Sequence, residues 1–174
     1  MKTMLHEIRS DVMITVQGDV PLADDDWDEY LNAVEAAPNI KAFLISADNY
    51  GPNARQRAKL QSHRTVYPHP KAVVTTSMAV RGIVTATSWL GTNIRAFSPD
   101  RIDEAFDYLR TPADLRPSLL ECLALMKTRL AGGDAIEQFR MPAVDNASDL
   151  ALMHQIVEER VANIRAKLRS APRR

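Results

Sequence analysis

The amino-acid sequence predicts an α/β protein with a small, mixed, mostly parallel sheet that is flanked by helices and followed by a C-terminal helical extension. Short apolar stretches alternate with segments of helical periodicity up to about residue 110, which is typical of parallel strands joined by helical crossovers. The first two stretches are separated by only two polar residues, which indicates an antiparallel hairpin. Beyond residue 110 the apolar residues keep helical spacing and the strand patterns cease.

The first part of the chain contains three predicted strands and one helix. MLHEIR and DVMITVQGDV form the hairpin around Ser10-Asp11, and their alternating pattern predicts that one face of the second strand is buried. In PLADDDWDEYLNAVEAAPN, aspartates occupy the first turn, where the helix dipole favours them, and Pro38 ends the helix. IKAFLISA is a continuous apolar run, as in a strand covered on both faces. The apolar stripe of the helix consists of Trp27, Tyr30, Leu31 and Val34.

The following elements alternate in the same way. Asn53 is the predicted N-cap of a helix over residues 54–63, and KAVVTTS is another buried strand. Ser77 is the predicted cap of a helix through MAVRGIVTATSWL, although its many β-branched residues leave a strand as the competing interpretation. The residues predicted to form one face of this helix are Val80, Ile83, Val84 and Thr87. We expect Trp89, near its end, to lie in the core. NIRAF is a short strand, and SPD begins the next helix.

From residue 111 onward the pattern is helical. A leucine-rich helix is predicted to begin at Thr111-Pro112 and to end at Gly132-Gly133, and a last helix begins at Ser148. We therefore divide the chain into an αβ domain, residues 1–110, and a helical extension, residues 111–174. The last helix has a narrow apolar stripe, as in a seam that faces a partner helix or another copy of the chain; packing on its own domain is the alternative. The stripe consists of Leu150, Met153, Val157, Val161, Ile164 and Leu168.

Charge is segregated along the chain, although the formal net charge is zero. Residues 10–40 contain eight acidic residues and no lysine or arginine, whereas residues 49–99 contain seven basic residues and no acidic one. Such a pattern can steer association with a partner of complementary charge. The predicted acidic partner face consists of Asp24, Asp25, Asp28 and Glu35.

The stretch DNYGPNARQRAKL, residues 48–60, places three bases near the start of a helix, where cations oppose the helix dipole. One interpretation pairs them with the neighbouring acidic helix, in exposed ion pairs that contribute about 0 to 1 kcal/mol each. The other is an anion bound at the helix N-terminus. We expect at least one of the three bases to face the acidic helix. The predicted ligand- or partner-binding set is Tyr50, Asn53, Arg55, Arg57 and Lys59.

The sequence contains no pattern typical of a catalytic or metal site. His63 and His69 are six residues apart, a spacing that matches no metal-site template, and a nucleophile motif is missing. We therefore expect no enzymatic activity, no metal and no cofactor. The zero net charge and sparse aromatic residues argue against a nucleic-acid partner. Cys122, the single cysteine, lies among apolar helix formers, which indicates a buried thiol in a cytoplasmic protein, and neither a signal peptide nor a membrane span is predicted.

The strand–helix order, the stretch NARQRAKL and the run AVVTTSMAVRGIVTATSWLGTNIRAFSPDRIDEAFDYL together resemble the STAS-like domains, the anti-sigma-factor antagonists and their lipid-binding relatives. The resemblance covers residues 1 to about 110. It implies a small αβ domain that binds partner proteins or, in some branches, an anionic or apolar ligand. Antagonists carry a phosphorylated serine or threonine in the loop after the third strand. Here that loop, ADNYGPN, contains neither, and Ser46 precedes it within the predicted strand.

These observations predict a cytoplasmic, non-catalytic regulatory or scaffolding protein, of the bacterial signalling type that the resemblance implies. It would act by binding another protein or by forming a homo-oligomer. The alternative is a binder of an anionic small molecule or lipid headgroup at loop 49–57.

Overall fold

The computed structural model describes residues 2–62, 68–89 and 92–132. Five strands are present: β1 (Met4–Arg9), β2 (Val12–Gln17), β3 (Ala42–Ser46), β4 (Lys71–Val74) and β5 (Ile94–Phe97). The five helices are α1 (Asp24–Glu35), α2 (Ala54–Ser62), α3 (Met78–Trp89), α4 (Ile102–Leu109), which follows a 3-10 turn, and α5 (Arg116–Leu130). The predicted α/β class is confirmed, and the segment after Ser77 is a helix, not a strand.

The five strands form one sheet in the order β1-β2-β3-β4-β5. β1 pairs antiparallel with β2, and the remaining neighbours are parallel. Ser10 has a φ of 56°, in the left-handed region that two-residue hairpin turns require. The turn sets Arg9 opposite Val12, and this register fixes which side chains of β1 and β2 share a face.

Two apolar cores lie on the two faces of the sheet. On the first face, the side chains of Val12, Ile14 and Val16 pack with strands β3 to β5 against α4 and α5. On the second face, α1 packs its predicted stripe against Met13 and Phe43. β2 is therefore buried on both faces, because helices cover it from either side. α3 lies along the edge strand β5.

α5 belongs to the first core. Leu119, Leu123 and Met126 are buried in the same cluster as the strands, so the packed unit continues past residue 110. The helix begins at Arg116 and not at Thr111. Arg110, with a left-handed φ of 57°, ends α4 just before this connection. Its predicted end is confirmed, since it stops at Leu130 and Gly132 has a φ of 80°.

The predicted last helix and its seam lie outside the described residues, and so does His63. The seam residues concerned are Met153, Val157, Val161, Ile164 and Leu168. Within the described part of the chain, the helices are too short or too polar to cross a bilayer.

Candidate functional site

The start of α2 is tied to the start of α1 by one buried side chain, Gln56. Only 1% of Gln56 is exposed, and its Nε2 donates to the Leu22 carbonyl at 3.0 Å and to Asp24 Oδ1 at 2.9 Å. Its main-chain carbonyl accepts a hydrogen bond from Trp27 Nε1 at 3.1 Å. The two helices are therefore joined by hydrogen bonds that the chain itself supplies.

Asn53 caps α2, as predicted. Its Oδ1 accepts the Gln56 N–H at 3.0 Å, and the Gln56 Oε1 accepts the Asn53 N–H at 3.0 Å. This reciprocal pair is a capping box, in which an amide replaces the usual hydroxyl at the cap. The Asn53 side chain therefore satisfies one of the helix N–H groups that an anion site would have used.

The three bases of α2 have partners within the chain. Arg55 Nη1 lies 3.5 Å from Asp24 Oδ2, and Lys59 Nζ lies 2.6 Å from Asp28 Oδ1. Arg57 Nη1 donates to the Pro52 carbonyl at 2.6 Å. The expectation that at least one base faces the acidic helix is confirmed for Arg55 and Lys59. These ion pairs oppose the anion interpretation, because a ligand would have to compete with carboxylates that are already in place.

The acidic face predicted on α1 is divided by these contacts. Asp24 and Asp28 point toward α2, whereas Asp25 and Glu35 are exposed. Sequence reasoning missed the role of Asp26, whose Oδ2 accepts the Thr3 N–H at 2.6 Å and the Thr3 hydroxyl at 2.7 Å. Burial alone would raise the pKa of Asp26, but these hydrogen bonds and the nearby Lys2 ammonium lower it to about 2. Asp26 thus links α1 to Thr3, the residue immediately before β1.

The carboxyl ends of the parallel strands are also cross-linked by polar contacts. Asp48, after β3, accepts the Thr76 N–H at 2.7 Å and the Thr76 hydroxyl at 2.9 Å. The Asn49 side chain donates to Asp19 at 2.9 Å. Tyr50 is 40% exposed beside them, and Ser46 is buried within β3 as expected. This edge, where open α/β sheets bind ligands, is held together by side chains from successive loops.

The outward side of α3 carries the largest unexpected feature of the structure. Met78, Ile83 and Trp89 are 74%, 64% and 83% exposed, and Val84 is the only buried residue of the helix. The expectation that Trp89 lies in the core is wrong. Of the predicted face, Val84 is buried but Ile83 is exposed, because a helix along an edge strand has only a narrow stripe of sheet to cover. We call this surface the α3 outer face; it consists of Met78, Ala79, Gly82, Ile83, Ala86 and Trp89.

Charge is nearly absent from this part of the molecule. Arg81 is the single charged residue in α3, and its Nε is buried and has no hydrogen-bond partner among the described residues. A contiguous apolar surface of this kind is typical of a contact site for another protein. Helical periodicity of apolar residues does not distinguish an exposed apolar side of α3 from a buried one.

In the described part of the chain, no three His, Cys, Asp or Glu side chains lie close enough together to hold a metal ion. Cys122 is buried, as predicted, and burial raises the pKa of its thiol to about 11, so the reactive thiolate is disfavoured at neutral pH. Comparison of the chain with protein-family models, with curated proteins and with solved structures gave no match.

Proposed function

We propose that this chain is a cytoplasmic, non-catalytic regulatory or scaffolding protein that acts by binding another protein through the α3 outer face. The observation that carries the proposal is the exposure of Met78, Ile83 and Trp89 on one helix. Tryptophan is among the residues that contribute most to protein–protein contacts. The resemblance to STAS-like domains, which bind partner proteins, supports the same conclusion.

Gly82 adds a second, independent argument. Glycine within a helix costs about 1 kcal/mol relative to alanine. A Cβ built at Gly82 meets nothing within 4 Å, so the packing of the described residues does not require glycine there. Gly82 lies between the small residues Ala79 and Ala86, and together they form a shallow strip flanked by larger side chains. Such a strip allows close approach of another helix, so we assign the partner's contact to an amphipathic helix.

Affinity purification of the tagged full chain from the native cell tests the proposal. Ile83→Asp places a charge in the middle of the contact, and Asn32→Asp places the same charge on the exposed side of α1. We expect a protein that is recovered with the wild type and with Asn32→Asp but lost with Ile83→Asp. Equal recovery with all three proteins would contradict the proposal, provided that circular dichroism shows all three folded.

The alternative function, binding of an anionic small molecule or lipid headgroup at loop 49–57, is less well supported because Arg55 and Lys59 already pair with α1. Titration of inorganic phosphate and of anionic lipid vesicles against wild type and the Arg55→Ala, Arg57→Ala double variant distinguishes the two. We expect the wild type and the double variant to bind phosphate equally, and likewise the vesicles. Saturable binding that only the wild type shows would favour the alternative.

A further inference from the structure

We propose that Lys71 is a modification site, at which a small acyl group is transferred from a thioester to the side-chain amine. The acyl groups that fit are short, with two or three carbon atoms, because they would occupy a small cavity beside the amine. The site is independent of the proposed function, since none of the residues that line this cavity belongs to α3.

The cavity lies where α1 ends and where β3 and β4 begin. Its volume is about 90 Å³, and it is lined by Val34, Ile40 and Phe43, which are buried. Pro38 and Pro68 also line it and are exposed, so the cavity lies at the protein surface and a reagent can enter it. The volume is enough for a few water molecules, or for an acyl group of similar size. The apolar lining favours the acyl group over water.

The Lys71 amine is held at the wall of this cavity. Its Nζ donates to the His69 carbonyl at 2.9 Å and lies 5.7 Å from the centroid of the Phe43 ring. His69 and Phe43 both line the cavity. Lys71 is paired with Phe43 in the register of β3 and β4, so the two side chains lie on the same face of the sheet. The fold therefore brings the amine and the cavity together.

Burial makes this amine a better nucleophile at neutral pH than an exposed lysine. It lowers the pKa of Lys71 from 10.5 to about 8. About one Lys71 amine in ten is then neutral at pH 7, compared with about three in ten thousand for a lysine with the ordinary pKa. Only the neutral amine has a lone pair that can attack a carbonyl carbon, and apolar surroundings activate lysine nucleophiles in this way.

Transfer from a thioester balances without a further reactant. The Nζ lone pair attacks the thioester carbonyl carbon, a C–N bond forms, the C–S bond breaks, and the proton lost by the nitrogen leaves with the sulfur as a thiol. The amide that results keeps one N–H, which can still donate to the His69 carbonyl. It has no charge, so the cost of burying the ammonium group is removed.

Two other lysines are internal references for this reaction. The Lys41 side chain is 74% exposed, and its Nζ lies 3.2 Å from Asp11 Oδ2. Burial lowers the pKa of Lys127 as well, although the charges of Asp48 and Asp19 raise it, and Lys127 does not line the cavity. Lys41 therefore reports on exposed lysines, and Lys127 reports on burial without this cavity.

Acetylation of the full chain by S-acetyl-N-acetylcysteamine, followed by mass spectrometry of its peptides, tests the site. We expect Lys71 to be acetylated about tenfold faster than Lys41, because more of its amine is neutral. Urea should abolish the preference, since it depends on the fold. If the folded chain is acetylated at Lys71 no faster than at Lys41, or no faster than at Lys127, the proposal is overturned.

A pair of variants tests whether the cavity receives the acyl group. Ala37 lines the cavity, whereas its neighbour Ala36 is exposed, so Ala37→Leu fills the space and Ala36→Leu is the matched control. Ala37→Leu should reduce the rate at Lys71 toward that at Lys41, and Ala36→Leu should leave it unchanged. Equal rates at Lys71 in the two folded variants would overturn the proposal.

The length of the acyl chain gives a second test on the wild type, which remains decisive if Ala37→Leu does not fold. An octanoyl chain is too long for a cavity of about 90 Å³. We therefore expect S-octanoyl-N-acetylcysteamine to modify Lys71 no faster than Lys41. A preference for Lys71 that is the same with the acetyl and octanoyl reagents would also overturn the proposal.

Discussion

The two tryptophans of the chain lie in opposite environments although both belong to helices that connect parallel strands. Trp27 in α1 is 4% exposed, its ring centroid lies 5.3 Å from that of Tyr30, and its Nε1 donates to the Gln56 carbonyl. Trp89 in α3 is 83% exposed. α1 packs across β1, β2 and β3, whereas α3 lies along the edge strand β5, so the breadth of sheet beneath each helix decides which aromatic side chain is buried.

The polar groups differ in the same way. Between α1 and α2, charged and amide side chains find partners within the chain, as Arg55 does with Asp24 and Gln56 does with Leu22. The α3 outer face is apolar, and the buried Nε of Arg81 has no partner among the described residues. In the first region, the polar side chains find their partners within the chain. The second region has the apolar composition of a surface that another molecule covers.

Truncation of the tryptophans should have the largest effect on stability. Trp27→Ala should lower the free energy of unfolding by about 3 to 5 kcal/mol, because it leaves a cavity in the second core. Trp89→Ala should change it by no more than about 0.5 kcal/mol in the described fold. Urea denaturation followed by circular dichroism measures both. A similarly large loss for Trp89→Ala would contradict this difference between the two tryptophans.

Removing the link between α1 and α2 should have the next largest effect. Gln56→Ala should cost about 2 to 3 kcal/mol, because the Leu22 carbonyl and the Asn53 N–H lose their partners. Arg57→Ala is the matched control on the same helix, since the Arg57 side chain is exposed and donates to the Pro52 carbonyl at the helix start. If both variants unfold at the same urea concentration, the hydrogen bonds of Gln56 do not stabilise the contact between α1 and α2.

Acid should lower the free energy of unfolding by protonating Asp26 in α1. The folded-state pKa of about 2 lies below the ordinary value of 3.8, so ionised Asp26 stabilises the fold above about pH 4. This contribution, about 2 kcal/mol, is lost as the pH falls toward 2. We expect Asp26→Asn to unfold more easily at pH 7 and to show a smaller further loss between pH 4 and pH 2. If the free energies of unfolding of wild type and Asp26→Asn differ by the same amount at pH 7 and at pH 2, the carboxylate does not have this role.

The smallest effect concerns Gly82, where stability and binding should change in opposite directions. Gly82→Ala should raise the free energy of unfolding by about 0.5 to 1 kcal/mol, because alanine is the better helix former and its Cβ meets no atom of the described fold. The same methyl group should weaken the partner recovered by affinity purification. Greater stability with undiminished recovery would place the contact elsewhere on the molecule.

Much of the fold could be predicted because local patterns determine it. Alternating and continuous apolar runs indicated the strands, aspartates in the first turn indicated α1, and Asn53 was recognised as a cap from its residue type and position. The pairing of Arg55 and Lys59 with α1 followed from charge segregation between successive helices.

The remaining features depend on tertiary position, which periodicity does not encode. The exposure of Ile83 and Trp89 follows from the place of β5 at the sheet edge, and the burial of α5 from the uncovered first face of the sheet. Asp26 is one of three consecutive aspartates, and only its proximity to Thr3, on a distant part of the chain, makes it different from Asp25.

Site-specific photo-cross-linking in the native cell tests most directly whether the α3 outer face is the protein-binding surface. A photoreactive amino acid at Ile83 is compared with the same amino acid at Asn32, which is exposed on α1. We predict a covalent adduct with another protein from position 83 and none from position 32. The same adducts from both positions, or an adduct from position 32 alone, would contradict the account.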